Sequence, residues 1–449
     1  MSRYCLMDVG STYTKGCWVD TDTVGILAWA SAPTTATSDI NIGIQAVLKK
    51  LASQLPAFEV EAMRLCSSAK GGLRMVAIGL VEDLTLKAAR MACANAGAKL
   101  VGAYSHKLNK QECSEIESLR PDIVLLSGGT DGGNEEVVLH NAIQLTQIKL
   151  RFPIIYAGNK SCQDQVHNIL SNAGFDVRLS ANVMPSYGVL HVASARDQIR
   201  LCFLEQIIEA KGLSSLASIV QDIVMPTPAS VLDALSLLAY GTKTETGLGD
   251  LMAVDVGGAT TDVYSLTSAQ APQSGVQIKG LIEPLAKRSV EGDLGLRISA
   301  KHVLELDLDL AEDRELSDYV SVIAQEIHGM SNASYDERIA ASCVRIASQR
   351  HAGRLENIYT PMGLETIQYG KDLRHVRTLI GIGGPIIYAH DPHQILKHVK
   401  QEDPAILLPK DLDLILDKQY SLSCLGLLAQ SHPDWTLKTM KTHLEIQHG

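Results

Sequence analysis

The chain has 449 residues, enough for two or three domains with ample core. Hydrophobic residues make up 46% and charged residues 20%, and the net charge is −10 with the signs interspersed. That balance is typical of a folded soluble protein and excludes nucleic acid and an anionic membrane as the expected partners. The nine cysteines are scattered and none forms a C-x-x-C pair, which argues against a zinc ribbon or a redox couple. The N-terminus lacks a signal-peptide pattern and no apolar run approaches membrane-spanning length, so reduced thiols in a cytoplasmic protein are expected.

In chain order the pattern alternates strand and helix. Tyr4–Val9 reads as a short apolar strand ending in Asp8-Val9-Gly10-Ser11, with Trp18–Val19 and Ile26–Ala30 as the next strands of a meander. Asp39–Leu51 has helical spacing, with Asp39 as its cap. Strands follow at Arg74–Leu80, Lys99–Ala103, Asp122–Leu126, Pro153–Ala157 and Asp176–Leu179, with helices at Asp83–Ala96 and Cys162–Ala173. A glycine-rich loop, Ser127–Gly133, follows the third of these strands. Such alternation implies an α/β fold with a largely parallel sheet. A long helix is expected over Gly188–Ile208, opened by Asn182-Val183-Met184-Pro185. The pattern restarts with a strand at Leu251–Val256, helices dominate from Gly295 to Arg350, a strand and turn occupy Thr378–Gly384, and a last helix is expected near Tyr420–Gln430.

Three segments carry chemistry. In Asp8-Val9-Gly10-Ser11-Thr12-Tyr13-Thr14-Lys15, glycine permits a tight turn or a close phosphate, and Ser11, Thr12 and Thr14 supply hydroxyls. Lys15 adds a point charge, and Asp8 at the strand end can hold Mg²⁺ through water. Asp255-Val256-Gly257-Gly258-Ala259-Thr260-Thr261-Asp262 repeats the design: Gly257, Gly258 and Ala259 leave room for phosphates, Thr260 and Thr261 offer hydroxyls, and Asp255 can face the same metal. Asp262 is either a metal-shell carboxylate or a turn cap. In Leu379–Ile386 an uncharged strand ends in Gly381, Gly383 and Gly384, which suits the flat face of a purine. Taken singly, each segment also reads as an ordinary hairpin or a buried strand with a glycine turn.

As a trio, in this order, the segments resemble phosphate-1, phosphate-2 and adenosine of the acetate kinase, sugar kinase, Hsp70 and actin superfamily. The resemblance implies ATP and Mg²⁺ as cofactors, held in a cleft between two ribonuclease-H-like (actin-like ATPase) lobes. Residues 1–68 and 375–449 are then expected to form the first lobe with C-terminal helices, 69–185 an α/β insert, and 186–374 the second lobe with a helical segment. The superfamily often carries an acid that positions the attacking water. Met184 stands where that acid is expected, leaving Asp131, Glu291 and Asp293 as weaker candidates, each equally readable as a turn residue or cap.

A narrower resemblance is to the GlmL/MutL family, associated with adenosylcobalamin-dependent glutamate mutase and related aminomutases and distinct from the mismatch-repair protein of similar name. It is carried by Asp8–Lys15, Ala32–Thr35, Ser68–Leu73, Leu126–Asn134, Val290–Arg297, Arg350–Gly353, Gly370–Leu373 and Gly381–Pro385. The resemblance implies an ATP-dependent reactivating chaperone that drives damaged cobalamin out of a partner mutase. Two alternatives share the fold: a small-molecule kinase, with Asp131 as base, and an activator of acyl-CoA dehydratases, which would need cluster-binding cysteines. The chain itself is not expected to bind cobalamin, because Asp391-Pro392-His393 continues to Leu396 where a cobalt-ligating D-x-H-x-x-G motif needs glycine.

Overall fold

A computed structural model describes residues 2–10, 12–34, 40–68, 73–210, 223–268, 275–323, 332–361, 363–400 and 403–447. The chain forms two compact units. The first comprises Met1–Ala234, Gly280–Ile282 and Ser423–Thr436; the second comprises Leu235–Lys279, Glu283–Leu422 and Leu437–Gly449. Among the described residues no helix is long and apolar enough to cross a membrane.

The first unit contains β1 (Arg3–Val9), β2 (Tyr13–Asp20), β3 (Ala28–Pro33), β4 (Ala62–Ser67), β5 (Arg74–Gly79), β6 (Lys99–Ser105), β7 (Ile123–Leu126), β8 (Ile154–Tyr156), β9 (Val177–Leu179) and β10 (Ile223–Pro226). One sheet has the order β3-β2-β1-β4-β10, with an antiparallel meander over β1–β3 and parallel pairing of β1, β4 and β10. Helix Ile40–Gln54 packs on it through Ile40, Ile44, Val47 and Leu51, a 3–4 spacing that puts all four on one face. Strands β5–β9 form a separate sheet, ordered β6-β5-β7-β8-β9 and parallel throughout, the doubly wound 2-1-3-4-5 arrangement. Its helices carry legible signals: Lys110–Leu119 opens on an Asn109/Glu112 capping box. Leu73, Met75 and Ala77 join Cys5, Met7 and Val9 in one core, so this sheet is anchored to the first.

The second unit contains β11 (Leu251–Val256), β12 (Thr261–Leu266), β13 (Val276–Lys279), β14 (Ala286–Glu291), β15 (Arg354–Thr360), β16 (Gly363–Tyr369), β17 (Thr378–Ile382), β18 (Asp413–Leu416) and β19 (Glu445–Gln447). Its main sheet runs β14-β12-β11-β17-β18-β19, with β11, β12 and β14 an antiparallel meander and β11, β17 and β18 parallel. The first five strands therefore repeat the arrangement of the first unit's sheet. The fold is α/β, with two ribonuclease-H-like sheets and an α/β insert.

Three expectations are corrected. Residues 375–449 are expected in the first lobe and 186–374 in the second, yet β17 pairs with β11 and β18 with β17 inside the second unit, so that of the C-terminal stretch only Ser423–Thr436 belongs to the first, while residues 186–234, with β10 paired to β4, also fall in the first unit. An apolar pattern identifies a strand but not the strand it pairs with. The segment Asn182–Val192 does not open a helix; the helix begins at Ala193, and Asn182 Nδ2 donates to the Gly129 carbonyl in the loop after β7. Beyond the short helix Ser421–Leu425 lie a further helix, Pro433–His443, and β19. Asp39 lies outside the described residues.

Candidate functional site

In the first unit β1, β4 and β10 run parallel, and the residues at their C-terminal ends meet at Asp8. Asp8 is paired with Lys15 on β2 and with Cys66 on β4, so the three side chains form a row on one face. The Asp8 carboxylate is 4% exposed. Its Oδ1 accepts from Thr227 Oγ1 at 2.6 Å and from Cys66 Sγ at 3.5 Å, and its Oδ2 accepts from Ser423 Oγ at 3.0 Å. A buried carboxylate is costly unless such donors satisfy it. Burial, followed by the Asp8 charge beside it, pushes the Cys66 thiol well above its usual range, so it remains a donor. The turn after β1 is tight: the Gly10 amide donates to the Tyr13 carbonyl at 3.1 Å, and a Cβ on Gly10 would stand 2.7 Å from that oxygen. Thr12 is exposed, while its carbonyl accepts from the Thr34 amide. Thr14 is fully buried, hydroxyl to hydroxyl with Thr34 at 2.9 Å, on the face opposite Asp8. Ser11 lies outside the described residues.

The second unit builds the same turn on β11 and β12. Gly257 donates to Thr260 O at 2.8 Å, and Asp255 is paired with Asp262 as Asp8 is with Lys15. The carbonyls of this turn are occupied. Gly257 O accepts from Leu296 N, and Gly258 O accepts from Arg297 N and Ile298 N, at 2.8–3.0 Å. Ala259 O accepts from Ser299 Oγ at 2.7 Å, and the buried Thr261 hydroxyl donates to Leu294 O. With its carbonyls turned inward, the loop leaves the amides of Gly258, Ala259 and Thr260 as its available donors among the described residues. A Cβ on Gly258 would meet nothing nearer than 3.9 Å, so local packing does not require glycine there and the space beside it is open. Asp262 is neither cap nor free metal ligand. It is paired with Arg288, whose Nε donates to Oδ1 at 2.7 Å, and both residues are buried.

Strand β17 lies beside β11, with Asp255 opposite Ile382. The second and third segments are thereby brought together. Gly383 has φ 94°; a side chain there would collide with the Val256 carbonyl and stand 2.6 Å from Asp255 Oδ1. Gly384 passes beneath Tyr420, whose hydroxyl would be 3.0 Å from an added Cβ. Gly381 faces the core, where a Cβ would lie 2.8–3.0 Å from Leu396, Leu416 and Ile386.

The remaining acids are engaged elsewhere. Asp131 Oδ1 accepts from Lys160 N and from Asn182 Nδ2, each at 3.0 Å. Glu291 and Asp293 both accept from Arg350 Nη1, at 2.7 and 3.0 Å. His393 is the second residue of the short helix Pro392–Leu396, and its amide donates to the capping Asp391. All nine cysteines are buried. Among the described residues no three His, Cys, Asp or Glu side chains gather to hold a metal. Thr227, Ser423, Cys66 and Arg288 escaped the sequence reading; for Thr227 and Ser423 no local signal exists, since they lie 219 and 415 residues from Asp8.

The family model described as "MutL protein" matches residues 4–444. The chain belongs to the MutL family. It is 42% identical over 463 residues to Protein MutL of Clostridium tetanomorphum, covering 99% of each chain. Among solved structures, nucleotide-free acetone carboxylase is similar at 13% identity over 95% of this chain and 70% of that one, with a TM-score of 0.43. A nucleotide-free diol dehydratase-reactivating factor is similar at 9% identity over 96% of this chain and 100% of that one, with a TM-score of 0.34.

Several of the MutL-like segments meet in the second unit. Val290–Arg297 leads into the brace on the Asp255 turn, and Arg350 ties it to helix Ala333–His351. His351 is fully buried between the Ser289 and Ser265 hydroxyls, at 2.7 and 2.8 Å. Gly353 N donates to Lys371 O, and Lys371 Nζ donates to the carbonyls of Ser265, Pro284 and Leu285. Burial, with Lys287 adding to it, lowers the Lys371 ammonium to about 7, opposed by the nearby Glu283 and Asp250. On geometry the carbonyls hold it charged. In this part of the chain the segments outside the turn therefore act as its frame.

Proposed function

We propose that this chain is an ATP-dependent reactivating factor for an adenosylcobalamin-dependent enzyme, with an aminomutase of the glutamate mutase type as partner. The observation that carries the ATP reading is the repetition of one device. An Asp-Val-Gly turn closes the central strand of two sheets of the same topology, at Asp8 and at Asp255. Strand-end turns of this kind, with glycines and outward amides, receive phosphate. Asp255, Gly257, Gly258, Ala259 and Thr260 are assigned to phosphate binding, with Gly383 and Gly384 toward the nucleoside. Asp8 and Asp255 are the carboxylates assigned to Mg²⁺, which takes few protein ligands and completes its shell with water and phosphate. The turn's Gly10, Ser11, Thr12 and Lys15 are assigned to phosphate beside Asp8.

Membership of the MutL family supports the reactivating role over the two alternatives on the same fold. A kinase needs a free base near the transferred phosphate, and Asp131 is held by Lys160 N and Asn182. A cluster-bearing activator needs thiolates at a surface, and the cysteines here are buried. The test of partner class is capture by the immobilised chain from native cytosol, with ATP or ADP present. A cobalamin enzyme retained in a nucleotide-dependent manner supports the proposal; retention of an acyl-CoA dehydratase overturns it.

A further inference from the structure

Two tyrosines flank the glycine turn after β17. Tyr388 follows the short helix Gly384–Ile387 and is 78% exposed. Tyr420 is half-buried and has φ 52°, in the left-handed region that side-chain-bearing residues rarely adopt. Strain of this kind persists where the surroundings fix it, and it gathers at ligand sites. The two rings stand 6.2 Å apart, tilted by 46°, in aromatic contact. A Cβ on Gly384 would lie 3.0 Å from the Tyr420 hydroxyl and 3.8 Å from Cδ2 of Tyr388. Gly384 is thus bare backbone between the two rings. Burial, then the neighbouring Tyr388, Asp255 and Asp417, raise the Tyr420 phenol above its ordinary range, so the ring packed against Tyr388 stays neutral. Tyr388 is held in this way with its ring in the open, next to the glycines and close to the end of β11.

We propose that Tyr388 stacks on the base of a nucleotide held by this unit, and that Tyr420 is a positioning residue that fixes the Tyr388 ring. The proposal rests on the nucleotide-binding reading above and adds the group that engages the base. Stacking on an aromatic face tolerates any base, so the pair contributes affinity for nucleobases as a class.

The test is calorimetric titration of the full chain with Mg-ATP and, separately, with magnesium tripolyphosphate, which has no base. Tyr388→Ala is expected to weaken ATP binding about tenfold, the usual scale of one lost stacking partner, and Tyr388→Phe to keep it within about twofold. Tyr420→Ala removes the ring packed against Tyr388 and is expected to weaken ATP about threefold. None of the three is expected to change tripolyphosphate binding, a separation that a general structural defect would not give. If Tyr388→Ala binds ATP as tightly as the wild type, or loses both ligands equally, the stacking role is overturned while nucleotide binding stands. If the wild type binds neither ligand, both fall.

Discussion

The Thr227 hydroxyl donates a 2.6 Å hydrogen bond to Oδ1 of Asp8. It is the shortest of the three bonds that hold this buried carboxylate, and it comes from the residue immediately after β10. Removing it leaves an acceptor without its partner inside the protein, which costs about 1–3 kcal/mol. Thr227→Val, similar in shape, is therefore expected to lower the denaturant midpoint and to reduce Mg-dependent ATP turnover together, with Thr227→Ser restoring both. Stability unchanged in Thr227→Val would show that the bond contributes little.

Asp262 and Arg288 make a second prediction. Their charges are buried and paired, so removing one strands the other, at a cost of about 3–5 kcal/mol. Asp262→Asn and Arg288→Met should each be strongly destabilised in urea. The double variant should be less destabilised than the sum of the two. Strict additivity would mean that the ion pair does not couple these residues.

Glycines 258 and 383 are expected to separate binding from stability. Gly383→Ala meets both a positive φ and the Val256 carbonyl, and should lose about 1–3 kcal/mol or more. Gly258→Ala has open space around it and should stay within about 0.5 kcal/mol of wild type. Its melt should nevertheless gain less from Mg-ATP than the wild-type gain of about 2.7 kcal/mol at a hundredfold excess over Kd. Thermal melts with and without Mg-ATP check both, and a full nucleotide shift in Gly258→Ala would remove the assigned role of that turn.

These contrasts also mark what was legible in the sequence. The two Asp-Val-Gly turns and their partner strands are local, so residues 8–15 and 255–262 announce them. The fate of Asp262 was not legible, because its partner Arg288 is 26 residues away on β14, and no spacing rule links them. Thr14 and Thr261 sit in segments read as phosphate loops from the sequence but alternate inward along their strands, where one bonds Thr34 and the other Leu294 O. The strand at 378–382 was found, but its place beside β11 depends on pairing, which apolar patterning does not encode.

His351 gives the pH dependence. Burial, with Lys287 and Lys371 adding to it, lowers its imidazole well below the ordinary 6.5. The unfolded chain therefore binds the proton more readily than the folded one. The stability from neutral, buried His351 is present above about pH 6.5 and is lost as pH falls below it. Urea midpoints measured from pH 8 to 5 should fall on the acid side for the wild type, and His351→Gln should flatten that limb while being less stable at pH 8. An unchanged acid limb in the variant would assign the effect to other groups.

The reactivating role is tested most directly by restoring a damaged mutase. Glutamate mutase is inactivated with hydroxocobalamin bound, and this chain, Mg-ATP and fresh adenosylcobalamin are then added. A two-state ATPase can loosen its partner only as far as its ATP and ADP states bind that partner differently. Recovery of mutase activity is therefore expected with ATP and not without it, and Asp8→Asn or Asp255→Asn should abolish it. Recovery with ornithine aminomutase alone would change the partner within the same account. Failure to exchange the bound corrinoid on any aminomutase, with the chain folded and ATP bound, would contradict it.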